Sequence, residues 1–100
     1  MDKKIKVLLV PALRGPEIIE TENTLKEFQR LVGGYIETVT TGGIVTICDE
    51  EGRIKSKPVN RHAPKFVGDI VICGVRDEDF CSLDDDNMER LYDFFNGGRQ

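Results

Sequence analysis

The stretch Leu25-Lys26-Glu27-Phe28-Gln29-Arg30-Leu31-Val32-Gly33-Gly34-Tyr35-Ile36-Glu37-Thr38-Val39 decides the fold class. Leu25, Phe28, Leu31 and Val32 recur at the spacing of one helical face, while Lys26, Glu27, Gln29 and Arg30 occupy the other. A helix with one apolar face needs a sheet to cover. Gly33 and Gly34 end it, because glycine adopts a positive φ without steric cost, and Tyr35, Ile36, Thr38 and Val39 then bring aromatic and β-branched strand formers. The sequence therefore switches from a helical period to a strand inside fifteen residues.

Outward from this centre the same reading gives the remaining elements. Towards the N-terminus, Lys4 to Val10 is a long apolar run expected inside a sheet, Arg14-Gly15-Pro16 is a turn, and Glu17 to Glu20 is the return strand of a hairpin. Asn23 or Thr24 is placed to N-cap the first helix, with Glu27 three residues after Thr24 as the reciprocal partner of a capping box. Towards the C-terminus, Tyr35 to Thr40 and Ile44 to Cys48 read as a hairpin around Thr41-Gly42-Gly43. The turn Asp49-Glu50-Glu51-Gly52 places its glycine for a left-handed position. Arg53-Ile54-Lys55-Ser56-Lys57 alternates and reads as an extended segment with three bases on one face. Residues 59 to 65 form an irregular loop between Pro58 and Pro64, and Asp69 to Val75 is the clearest buried strand. A second helix starts at Ser82, carries the stripe Met88, Leu91, Tyr92 and Phe95, and closes at Gly97 and Gly98. The expected fold is one α+β domain over residues 1–97, a mostly antiparallel sheet with two helices in the order β-β-α-β-β-β-β-α, with a frayed end at 98–100.

One hundred residues support a single small core, which a second copy of the chain would enlarge, so a homodimer is expected. No apolar window approaches the length of a membrane span, and the lysines and short apolar run at the start lack the cleavage site of a signal peptide. Cys48, Cys73 and Cys81 are odd in number and far apart, which fits a reducing cytoplasm better than a disulfide framework. No pair of them has the close spacing of a zinc site, and Cys73 reads as a small core residue. No cofactor is expected.

The net charge of −4 is unevenly distributed: residues 76–100 hold eight of the 18 acids but three of the 14 bases. Gly52 to Lys65 holds Arg53, Lys55, Lys57, Arg61, Lys65 and His62 with no acid, and this segment is the best place to meet an anion. Direct nucleic-acid binding is disfavoured by the short basic segment and the acidic chain. Catalysis lacks a motif, because the single histidine has no matching cysteine, serine or HExxH pattern.

Four strings, Leu31-Val32-Gly33-Gly34-Tyr35-Ile36-Glu37, Asp49-Glu50-Glu51-Gly52, Pro58-Val59-Asn60-Arg61 and Asp79-Phe80-Cys81-Ser82-Leu83, make the chain resemble a family of small proteins described only as a domain of unknown function. The resemblance runs from Lys4 to about Phe95. It implies an origin in phages, prophages or mobile elements, sometimes beside antirestriction genes, rather than an activity.

The candidate ligand-binding residues are Asn60, Arg61, Lys55, Lys57 and Tyr35. Arginine binds phosphate or carboxylate through a planar fork, asparagine offers a donor and an acceptor, and tyrosine can stack on a ring. Against this, Asn60 could close its own loop, Arg61 could pair with Glu37 or Asp69, and bases along an extended segment could guard a sheet edge. The expected function is non-enzymatic capture of an anionic small molecule, such as a nucleotide-derived host immune signal. The alternative is an anti-defence module that contacts a host protein through the acidic C-terminal region, where Asp77, Glu78 and Asp79 are prominent.

Overall fold

The computed structural model of the chain describes residues 3–97. Eight elements follow the expected order: β1 (Lys4–Val10), β2 (Glu17–Glu22), α1 (Leu25–Val32), β3 (Ile36–Thr41), β4 (Ile44–Asp49), β5 (Ile70–Arg76), β6 (Asp79–Cys81) and α2 (Asp85–Phe95). All named strand pairs are antiparallel, and the six-stranded sheet runs β2-β1-β5-β4-β3, with β6 on the end of β5. The expected α+β class and element order hold. The frayed end expected at 98–100 lies outside the described residues.

Alternation along the inner strands sends side chains to two separate cores. Ile5, Val7, Val45, Ile47, Val71 and Cys73 meet Phe28 and Val32 of α1 on one face, and Phe28 packs edge-on against Phe80. Leu8, Val10, Cys48, Ile70 and Ile72 meet Leu83 and Met88 on the other, where α2 and the loop residues Ala63 and Phe66 lie. Covering on both faces explains why β1 and β5 read as continuous apolar runs. Cys73 is fully buried as expected, and burial pushes its thiol up to about 12. Leu25, expected on the buried stripe, is exposed at the first turn of α1.

Local chemistry sets the boundaries. The Thr24 hydroxyl accepts from the Glu27 N–H, and Gly33 at φ 83° receives the end of α1 by donating to the Gln29 carbonyl. Gly42 and Gly43, at φ 54° and 83°, make the two-residue turn between β3 and β4, where both positions need positive φ.

Four expectations need correction. The segment Arg53 to Lys57 is not extended: Lys55 N–H donates to the Glu51 carbonyl, Ser56 N–H to Arg53 and Lys57 N–H to Gly52, which coils residues 51–56 into tight turns. Gly52 is outside the positive-φ set; it is a close-packing residue, with the Val67 carbonyl 3.2 Å from where a Cβ would sit. The fourth strand between the helices is instead β6, which forms a hairpin with β5 through Asp77 and Glu78 at φ 52° and 70°. The second helix starts later than Ser82. Asp84 caps it by accepting from Asn87 N–H, while the Ser82 hydroxyl accepts from Lys6 N–H and ties β6 to β1.

The β5–β6 pairing depends on Gly74. A Cβ there would lie 2.8 Å from the Ser82 carbonyl oxygen and 3.0 Å from the Cys81 sulfur. Gly74→Ala is therefore expected to cost about 1–3 kcal/mol in denaturant unfolding, since backbone must shift to admit the methyl.

Candidate functional site

The basic segment folds back on the C-terminal end of α1. Asp49, at the end of β4, has a fully buried carboxylate whose Oδ2 lies 2.9 Å from Lys55 Nζ and 2.6 Å from Lys57 Nζ, while Oδ1 accepts from Glu51 N–H at 2.9 Å. Lys57 Nζ also donates to the Val32 carbonyl at 2.8 Å, and Lys55 Nζ to Gly33 at 3.2 Å. Two ammonium groups thus satisfy the last carbonyls of α1, at the negative end of its dipole. Burial alone would raise the Asp49 carboxyl, but hydrogen bonds from Lys57, the Glu51 amide and Lys55 outweigh it and hold the group at about 2.

The five candidate residues do not form one site. Asn60 is completely buried and uses every polar position of its amide: Nδ2 donates to the Val10 and Gly68 carbonyls, and Oδ1 accepts from the His62 and Ala63 N–H groups. It holds the loop to β1 and has nothing left to offer a ligand. Arg61 is exposed, and among the described residues it forms no ion pair with Glu37, Asp69 or any other acid. It borders a hollow of about 340 Å³ with His62, Phe95 and Asn96, away from the lysines. His62 Nε2 is 2.6 Å from the Arg14 carbonyl there.

Tyr35 and Lys55 are brought together. They line a hollow of about 310 Å³ with Lys26, Gln29, Arg30, Gly34 and Glu51. Tyr35 is 66% exposed, so its ring is free of the core. Lys57 stands beside this hollow, bound to Asp49 and the helix end rather than lining it. Lys26, Gln29 and Arg30 were not among the expected residues. Their i, i+3, i+4 spacing puts them on one strip of α1, a signal present in the sequence, but only the return of the 51–57 turns shows that this strip meets Tyr35 and Lys55. Arg30 is held by Glu27 in a two-point pair at 2.7 and 2.8 Å.

The acidic region divides in two. Asp84 caps α2, and Asp85 and Asp86 lie in its first turn, where the dipole favours them; Asp77, Glu78 and Asp79 are exposed at the β5–β6 hairpin. Among the described residues, no group of three histidine, cysteine or acidic side chains is arranged to hold a metal ion, and no helix is long and apolar enough to cross a membrane.

The chain is thus a two-faced antiparallel α+β domain with an exposed tyrosine set among basic side chains. Residues 5–96 match the family model described as "Domain of unknown function (DUF3846)", and the chain belongs to that family. No curated protein and no solved structure matches it.

Proposed function

We propose that the chain is a non-enzymatic binding protein that captures an anionic small molecule carrying a flat ring. A nucleotide-derived immune signal in the cytoplasm of a phage or mobile-element host is the class that fits. One observation carries the reading: the exposed Tyr35 ring is bordered by Lys26, Arg30 and Lys55, with Glu51 the single acid of the lining. Stacking on Tyr35 takes the ring, the cations take the phosphate, and Gln29 offers a donor and an acceptor to a polar edge. Lys55 also masks the Gly33 carbonyl, which would otherwise repel an anion at this end of the helix. Arg61 is assigned no part in this hollow. Docking on a host protein through the acidic region has less support, because Asp84 to Asp86 are engaged at the start of α2.

Calorimetric titration with a panel of mono-, di- and cyclic nucleotides, with inorganic pyrophosphate as the control lacking a ring, is the test. Saturable binding at one site per chain is expected, and Tyr35→Ala should weaken it by about tenfold to a hundredfold, the worth of one stacked base. Lys26→Ala should weaken it and flatten its salt dependence, with both variants melting as the native chain does. Nucleotide binding that survives Tyr35→Ala, or no binding across the panel, overturns the reading.

A further inference from the structure

The two edges of the sheet are built differently. At one end, β2 presents Glu17, Glu20 and Glu22, carboxylates of the kind that keep a sheet edge from pairing with another chain. At the other, β3 carries a single charge, Glu37, in Ile36-Glu37-Thr38-Val39-Thr40-Thr41, and five of its six residues are exposed. Tyr35 accepts from Glu50 N–H, and the turn closes Thr41 on Ile44, which sets the phase of the ladder. In that phase the odd-numbered residues face β4, so the N–H and C=O groups of Ile36, Thr38 and Thr40 point outward along the open edge.

We infer that β3 pairs with β3 of a second copy of this chain, antiparallel about a twofold axis at Val39, joining the two sheets into one. The charge pattern favours a second copy over an unrelated strand. This register sets Val39 against Val39, Glu37 against Thr41 and Thr38 against Thr40, so no like charges meet and each carboxylate faces a hydroxyl. The same operation on β2 about Glu20 would set two carboxylates face to face. Val39 is 44% exposed and lies on the α2 side of the sheet, at the end away from β1 and β2 on which α2 packs, flooring a groove of about 650 Å³ with Thr46 and Cys48, walled by Ile54, Phe66 and Arg53. Pairing buries Val39 and runs the two grooves together across the axis. This interface is separate from the Tyr35 hollow, and each stands or falls without the other.

Sedimentation velocity on the full chain across a range of micromolar concentrations tests it. A dimer is expected, and Val39→Lys, which sets two ammonium groups in opposition, should raise its dissociation constant at least ~10-fold. Thr38→Pro removes an outward donor at no change in charge and should do the same. The register makes a sharper demand: Thr41→Glu, facing Glu37, weakens the dimer, whereas Thr41→Lys strengthens it. Circular dichroism melts confirm that each variant is folded. A monomeric native chain, a monomer that takes up an extended peptide along β3 instead, or a dimer indifferent to Val39→Lys and to both Thr41 changes overturns the inference.

Discussion

Asn60→Ala is expected to lower the melting temperature by roughly 15–30 °C, because it removes about 3–5 kcal/mol from a domain of this size. The substitution strips four backbone groups of their side-chain partner at once: the buried carbonyls of Val10 and Gly68 and the part-buried N–H groups of His62 and Ala63. Each buried group left without a partner costs about 1 kcal/mol or more, and no water reaches a side chain with 0% exposure. Asn60→Asp separates donors from acceptors. An ionised carboxylate still accepts from His62 and Ala63 but faces two carbonyl oxygens it cannot satisfy, so this variant should also be badly destabilised at neutral pH. Its carboxyl should titrate above the ordinary range in the folded state. The variant therefore recovers part of its stability as the pH falls below that raised value, when the protonated group can donate to one carbonyl. Arg61→Ala, one residue along, should change the melting temperature little, since Arg61 is exposed and forms no ion pair among the described residues. Thermal melts of the three variants check all of this. A mild Asn60→Ala would mean that backbone bonds alone hold the loop, Asn60 N–H to Phe66 within it and Arg61 N–H to Ala12 just after β1.

The sequence was legible where side-chain period and burial agree. The apolar face of α1, the runs in β1 and β5 and the glycine turn at 42–43 each combine a pattern with enough length to exclude other readings. It misled where a short pattern had two physical causes. Arg53, Lys55 and Lys57 alternate as strand residues do, yet the spacing serves a different end: the coiled backbone lets Lys55 and Lys57 reach Asp49 and the carbonyls of α1. β6 has three residues, too few for alternation to show, and it owes its pairing to Gly74 and to the Ser82 anchor on β1. The Asn60 and Arg61 pair shows why residue type alone cannot assign a role. One amide has all its hydrogen-bonding capacity filled inside the fold, and its neighbour's guanidinium lies on the surface. Of the candidate residues, Lys55 lines the hollow beside Tyr35, joined there by Lys26 and Arg30. That grouping comes from the packing of the 51–57 turns on α1, a tertiary fact with no local sequence pattern.

Asp49→Ala is expected to cost about 2–4 kcal/mol, because it strips two ammonium groups of their shared partner where the chain closes the end of α1. The cost stays below that of a fully buried pair, since the Lys55 and Lys57 side chains keep 38% and 24% of their exposure and can regain water. The pH dependence follows from the depressed carboxyl. With a folded value of about 2 against an ordinary 3.8, the charged form is favoured by folding, so its contribution is fully present above pH 4. As the pH falls towards 2 the unfolded chain takes up its proton first, and about 2 kcal/mol is lost across that window. Asp49→Asn should lower stability at neutral pH and remove this part of the acid dependence, so that the gap between it and the native chain narrows between pH 4 and 2. Denaturant unfolding of both proteins at several pH values in that range reads the difference directly. A gap that stays constant would mean that Asp49 is held by shape and its bond from Glu51 rather than by charge. The lysines connect this knot to the proposed site. Without Asp49, Lys55 loses the partner that fixes it beside Tyr35, so Asp49→Asn should weaken nucleotide binding even at a temperature where the variant is fully folded. Lys57→Met, which leaves the Lys55–Asp49 pair in place, should lower stability and spare binding. Equal loss of binding in the two variants would show that the hollow depends on the end of α1 as a whole and not on Lys55.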